Sequence, residues 1–138
     1  MDAAEFNAAV IEEFRGNGGA VGGSLADTPL LLLRTIGART GLPRTTPLAY
    51  RREGERLYVL ASRGGAPTNP GWYRNLRAHP AVTVEVGTER FEAIATVLEG
   101  AERRRMFATI AEDSPTVRRY QAMTGRTIPV VALDRRAG

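Results

Sequence analysis

The chain has 138 residues, 43% of them apolar, which suits one domain with a sizeable core and leaves no apolar stretch long enough to span a membrane as a helix. It carries 19 basic and 15 acidic residues and no cysteine, which excludes disulfides, thiolate metal sites and cysteine nucleophiles. Every basic residue is arginine, and residues 34–90 hold ten of them against four Glu, a net of +6, while the remainder holds nine Arg against eleven acids.

Residues 3–15 read as an amphipathic helix, with Phe6, Val10 and Phe14 recurring at every fourth position and Ile11 beside them. Asp2 and Glu5 have the spacing of a capping box, and Gly16-Asn17-Gly18-Gly19 ends the helix. Docking of this stripe on the domain's own core is the expectation; contact with a membrane surface is the alternative. The opening residues lack a basic region followed by an apolar one, which predicts a cytoplasmic location.

Strand signals follow over Pro29–Ile36 and Arg44–Arg52, then a turn at Glu53-Gly54-Glu55. Arg56–Ser62 alternates Leu57, Val59 and Ala61 on one face with Tyr58, Leu60 and Ser62 on the other. A short helix is predicted from about Pro70 to Ala78. Val82, Val84 and Val86 mark the next strand, Gly87-Thr88 turns the chain, and Phe91–Leu98 pairs back. Helices over about 100–112 and 115–124 come next, the second with Ser114 as cap and Pro115 at its first position. Thr127–Leu133 makes a last strand. Six strands joined mostly by tight turns, with helices at the edges, predict a mainly β, α+β barrel, a single domain over residues 1–138.

Two arginine-bearing loops carry the chemistry. One is Gly37-Ala38-Arg39-Thr40-Gly41-Leu42-Pro43-Arg44, where two cations flank a Gly-Pro turn. The other is Arg63-Gly64-Gly65-Ala66, directly after a strand, leading to Asn69 as expected N-cap and Pro70 at the first helical position. Glycines let the backbone approach a ligand, and arginine forks beside bare helix N–H groups suit an anion. Each charge-assisted bond is worth roughly 1.5–3 kcal/mol when shielded from water. Convergence of Arg39, Arg44 and Arg63 on one phosphate is the expectation; hairpin turns with solvated arginines are the alternative. The loops match neither the dinucleotide fingerprint nor the Walker pattern. A phosphorylated cofactor, a nucleic acid or an acidic surface would each answer the charge, but aromatics at 7% are too few for a stacking platform, which points away from nucleic acid. The single histidine, His79, has no carboxylate cluster near it in sequence, so no metal site is expected.

The ordered motifs Thr35-x-Gly37-x-Arg39-Thr40-Gly41-x-Pro43-Arg44-x-x-Pro47-Leu48, Ala61-Ser62-Arg63-Gly64-Gly65-Ala66-x-x-Asn69-Pro70-x-Trp72-Tyr73-x-Asn75-Leu76 and Arg126-Thr127-Ile128-Pro129-Val130-Val131 resemble the deazaflavin-dependent nitroreductase family. The resemblance implies a split β-barrel like that of FMN-binding proteins. The implied cofactor is the deazaflavin coenzyme F420, whose phosphodiester and oligoglutamate tail are both anionic. Arg39, Arg44 and Arg63 would contact phosphate and tail, with Thr40, Gly41, Gly64 and Gly65 in the same loops. Pro47, Leu60, Ala61 and Ser62 would border the ring, and Trp72 and Asn75 would complete the pocket; core anchoring is the alternative role for Trp72 and Tyr73. Ser62 and Tyr120 are the catalytic candidates, with packing as the alternative for Tyr120. The implied reaction is hydride transfer from reduced F420 to a small-molecule acceptor such as a quinone, an activated enone or a nitro compound. Ala49, Ser114 and Val117 stand where the best-known nitroreductase pattern has tyrosines, which points away from bicyclic nitroimidazoles. The alternatives are an FMN- or FAD-dependent reductase and an F420 carrier without turnover; a homodimer is compatible with either.

Overall fold

The computed structural model describes residues 3–136. Helix α1 (Ala3–Gly16) is followed by strands β1 (Leu30–Ile36), β2 (Pro43–Ala49), β3 (Arg51–Glu53) and β4 (Arg56–Leu60). Then come α2 (Gly71–Ala78), β5 (Ala81–Val86), β6 (Glu89–Val97), α3 (Gly100–Asp113), α4 (Pro115–Met123) and β7 (Val130–Arg135). Asp2 of the expected capping box lies outside the described residues.

All seven strands form one sheet in the order β2-β1-β5-β6-β7-β4-β3, and every pairing is antiparallel. The two edge strands, β2 and β3, are separated only by Tyr50. A single bent segment therefore supplies both edges, and the sheet curls into a half-barrel. This corrects the expectation of six strands: the run expected as one strand over Arg44–Arg52 is two. Alternation gives no sign of the bend. Thr46 pairs with Leu33, Leu48 with Leu31 and Arg52 with Leu57, so even-numbered positions lie on the core side of the sheet on both sides of the corner, although Arg52 itself is exposed.

The interior is filled by Leu31, Leu33, Leu57, Val59, Ala61, Val82, Val84, Ala93, Val131 and Leu133, joined by Trp72, Tyr73 and Leu76 from α2. Each fully buried aliphatic side chain contributes about 1.5–3 kcal/mol. The run Leu30–Leu33 is apolar throughout because both faces of β1 are covered. Its even positions, Leu30 and Leu32, pack against Val10, Phe14 and Ile11 of α1. The α1 stripe thus docks on the domain, as expected, except that Phe6 remains exposed. Arg15 holds the end of α1 to β5 through two bonds to Glu85, at 3.2 and 2.8 Å. A third cluster, Tyr58, Leu98, Met106, Val130 and Ala132, packs with Phe107 and Ile110 and seats α3 on the opposite flank. Ser114 caps α4 by accepting from the Val117 amide at 3.2 Å.

No helix among the described residues is long and apolar enough to cross a membrane.

Candidate functional site

A cleft of about 540 Å³ opens where the β1–β2 connection meets the start of α2; it is lined by Gly37, Ala38, Arg39, Thr40, Arg44, Thr46, Gly71, Trp72, Arg74 and Asn75. Three arginines face it and no Asp or Glu lines it. Its volume is ordinary for a small-molecule site. The donor set, guanidinium forks with hydroxyls and an amide, is what a polyanion requires.

The β1–β2 loop is shaped by its own hydrogen bonds. Gly37 N–H donates to the Leu42 carbonyl at 2.8 Å, Gly41 N–H to the Gly37 carbonyl at 2.9 Å, and Leu42 N–H to Thr40 Oγ1 at 3.2 Å. Gly41 takes φ +70°, and a Cβ at Gly37 would lie 2.5 Å from Thr40 Oγ1, so both positions favour glycine. Asn75 then ties this loop to α2. Its Oδ1 accepts from Ala38 N–H at 2.9 Å, and its Nδ2 donates to the buried Thr35 Oγ1 at 3.1 Å. One side chain thereby satisfies a buried hydroxyl and fixes the loop that carries Arg39 and Arg44.

The N-terminus of α2 forms the opposite wall. Pro70, in extended conformation, is its N-cap and supplies no side-chain acceptor. The expected cap, Asn69, has another partner: its Oδ1 accepts from Arg126 at 2.6 Å. A tertiary contact across 57 residues has replaced the local one. The first amides of α2 therefore have no side-chain cap, and the helix dipole adds positive potential at that end.

Of the residues predicted for the site, Arg39, Thr40, Arg44, Trp72 and Asn75 line this cleft, and Gly41, Pro47, Leu60, Ala61, Ser62, Arg63, Gly64, Gly65 and Tyr120 do not. Arg63 adopts φ +46° and turns its Nη1 onto Thr68 Oγ1. Leu60 faces the α3 flank rather than the interior, packed with the Tyr58 and Met106 cluster. Ala61 is buried in the interior, with its N–H on the Pro129 carbonyl at 3.0 Å. Trp72 is both an interior anchor and a wall of the cleft. Gly65 lies against α4: a Cβ there would meet Met123 Cβ at 3.1 Å and the Tyr120 carbonyl at 3.2 Å. The loop after β4 and the α4 segment bearing Tyr120 are thus one packed unit beside the cleft.

Sequence reasoning missed Arg74, which supplies the third cation. The signal was present, because Gly71, Arg74 and Asn75 sit three and four residues apart, on one helix face. Among the described residues no group of three or more His, Cys, Asp or Glu could hold a metal ion.

Half-barrel and cleft together give a curled antiparallel sheet with an arginine-lined, acid-free cleft at one edge. Residues 8–135 match the model of the F420H(2)-dependent quinone reductase family. The chain is 41% identical over 127 residues to an F420H(2)-dependent quinone reductase of Mycobacterium tuberculosis, covering 89% of this chain and 85% of that protein. Among solved structures it is similar to an F420-H2 dependent reductase, with TM-score 0.70 and 36% identity, covering 77% of this chain and 94% of that one. It is also similar to a protein described as a domain-swapped dimer, with TM-score 0.73 and 32% identity, covering 96% and 100% of the two chains. The chain belongs to the F420H(2)-dependent quinone reductase family. It is an F420H2-dependent oxidoreductase, and the anionic character of coenzyme F420 agrees with an acid-free cleft lined by Arg39, Arg44 and Arg74.

Proposed function

We propose that this protein reduces a quinone with reduced F420, and that Arg39, Arg44, Arg74 and the start of α2 hold the anionic end of the cofactor. The observation that carries the site is the meeting of three arginines and an α2 N-terminus without a side-chain cap around one cleft that no acid lines. The quinone acceptor is supported by the description of the M. tuberculosis relative. The finer fold reading, a split barrel like that of FMN-binding proteins, is supported by the edge strands that Tyr50 joins and by likeness to the F420-H2 dependent reductase.

When bound, the reduced deazaflavin supplies a hydride. A quinone that takes up this hydride needs one proton to become the hydroquinone. The chain's part is to bind and orient. Asn75 holds the Arg39–Arg44 loop in place, and Trp72 provides a rigid apolar wall. The packed unit of Ser62–Gly65 and α4 offers Ser62 for a hydrogen bond to the ring and the Tyr120 hydroxyl for orienting the proton donor; both roles are part of the proposal. A second copy of the chain as partner is proposed on the likeness to the domain-swapped dimer, and light scattering of the purified protein tests it.

The test of the reaction is anaerobic mixing of the protein with reduced F420 and a water-soluble quinone, following the return of deazaflavin absorbance. Quinone-dependent oxidation with equal amounts of F420 and hydroquinone formed is the expected result. Oxidation that is no faster than in the protein-free control contradicts the reading.

A further inference from the structure

Arg126 lies in the segment between α4 and β7 and is half-buried. All three guanidinium nitrogens serve one loop. Nε donates to the Ala66 carbonyl at 2.9 Å, Nη1 to Asn69 Oδ1 at 2.6 Å and Nη2 to the Ser62 carbonyl at 2.8 Å. Its own main chain is tied back to α4: Gln121 Nε2 donates to the Arg126 carbonyl at 2.9 Å, and Gln121 Oε1 accepts from Ile128 N–H at 3.4 Å.

The carbonyls it grips bracket an unusual backbone. Arg63, Gly64 and Gly65 take φ values of +46°, +63° and +84° in succession, and Arg63 is the one non-glycine with positive φ among the described residues. Such a conformation costs of order 1–2 kcal/mol and persists only where the surroundings enforce it. Here the enforcement is visible. Ser62 precedes the left-handed run, Ala66 follows it, and one planar fork holds both, while Met123 and Tyr120 of α4 close against Gly65. The third bond extends the reach of Arg126 to the cleft. Asn69 is gripped through its side chain, and its carbonyl accepts from Arg74 Nη1 at 3.4 Å. Asn69 is followed directly by Pro70, the N-cap of α2.

We propose that Arg126 is a positioning residue. It holds the Ser62–Asn69 loop in its left-handed path and, through Asn69, fixes the start of α2 and the Arg74 wall of the cleft before the cofactor arrives. The effect on affinity rests on the cofactor seat proposed above; the effect on the loop does not.

Arg126→Lys is the informative substitution, since a single ammonium has no planar fork to span three acceptors. In the cofactor-free protein, hydrogen exchange of residues 63–69 should quicken by about tenfold or more while the amides of β1, β4 and β7 keep their rates. The Gly65 and Ala66 amides, bonded to the Ser62 and Arg63 carbonyls, report this directly. The KM for reduced F420 should rise by about tenfold, and kcat at saturating cofactor should fall by less than that factor. Unchanged exchange over residues 63–69 overturns the proposal. Should the sheet amides also lose protection, Asn69→Ala decides, as it removes one bond of the three: faster exchange confined to the loop supports the proposal, and none overturns it. A loosened loop with unchanged KM for the cofactor overturns the link to the cleft, and leaves the cofactor seat to be judged by substitutions of its own arginines.

Discussion

Replacing Arg39 and Arg44 together by alanine removes two of the three cations that line the cleft. Both side chains are exposed and make no hydrogen bond or ion pair among the described residues, so their loss leaves the fold without an orphaned partner. Exposed charges of this kind change stability by no more than about 0.5 kcal/mol. Binding is another matter. A charge-assisted bond is worth roughly 1.5–3 kcal/mol, and solvent exposure argues for the lower end at each site. Two such bonds give about 3 kcal/mol, or about a hundredfold in affinity. Fluorescence titration with oxidised F420 measures this, with thermal melting as the control. The gap between the two proteins should narrow in 1 M salt, where the Debye length falls to about 3 Å. A double variant that melts normally and binds within about threefold of the parent would show that these arginines do not hold the cofactor, because a loss so small is under 1 kcal/mol for two cations together.

Arg74→Ala should weaken F420 binding about tenfold and Arg63→Ala by less than about threefold, since only the former faces the cleft; parallel titrations decide. Asn75→Ala strips the buried Thr35 hydroxyl and the Ala38 amide of their partner, so urea unfolding should show a loss of about 1–3 kcal/mol together with weaker cofactor binding. Gly19 has φ +94°, and a Cβ there would stand 2.6 Å from the Gly87 Cα. Gly19→Ala should therefore destabilise the protein by more than about 1 kcal/mol in the same assay, without a matching change in cofactor affinity in the folded protein.

Much of the fold was legible because its elements are locally consistent. The α1 stripe apart from Phe6, the Val82-Val84-Val86 alternation, the Gly87-Thr88 turn and the Ser114-Pro115 helix start have the partners that their patterns imply. The bend at Tyr50 was not legible, because the inward parity continues through it and only pairing with two distant strands reveals it. The cap of α2 was misread for a related reason. Asn69 obeys local capping rules, yet Arg126, remote in sequence, claims its side chain. In the site, the Gly37–Arg44 loop was visible as two cations around a glycine turn. Arg74 was overlooked because it lies on a helix rather than in a glycine-rich loop, and nothing in the sequence discloses that the left-handed backbone of Arg63 brings its guanidinium to Thr68.

On the proposed reading, the cleft between the Gly37–Arg44 loop and α2 recognises the charged end of the cofactor. Calorimetry with F420 and with the same deazaflavin cut back to its ribityl chain, lacking phosphodiester and glutamates, addresses it most directly. Tighter binding of the full cofactor by about a hundredfold, with the advantage lost in the Arg39→Ala, Arg44→Ala double variant, is the predicted result. Equal affinity of the unsubstituted protein for the two ligands would mean that the cleft does not read the cofactor's charge.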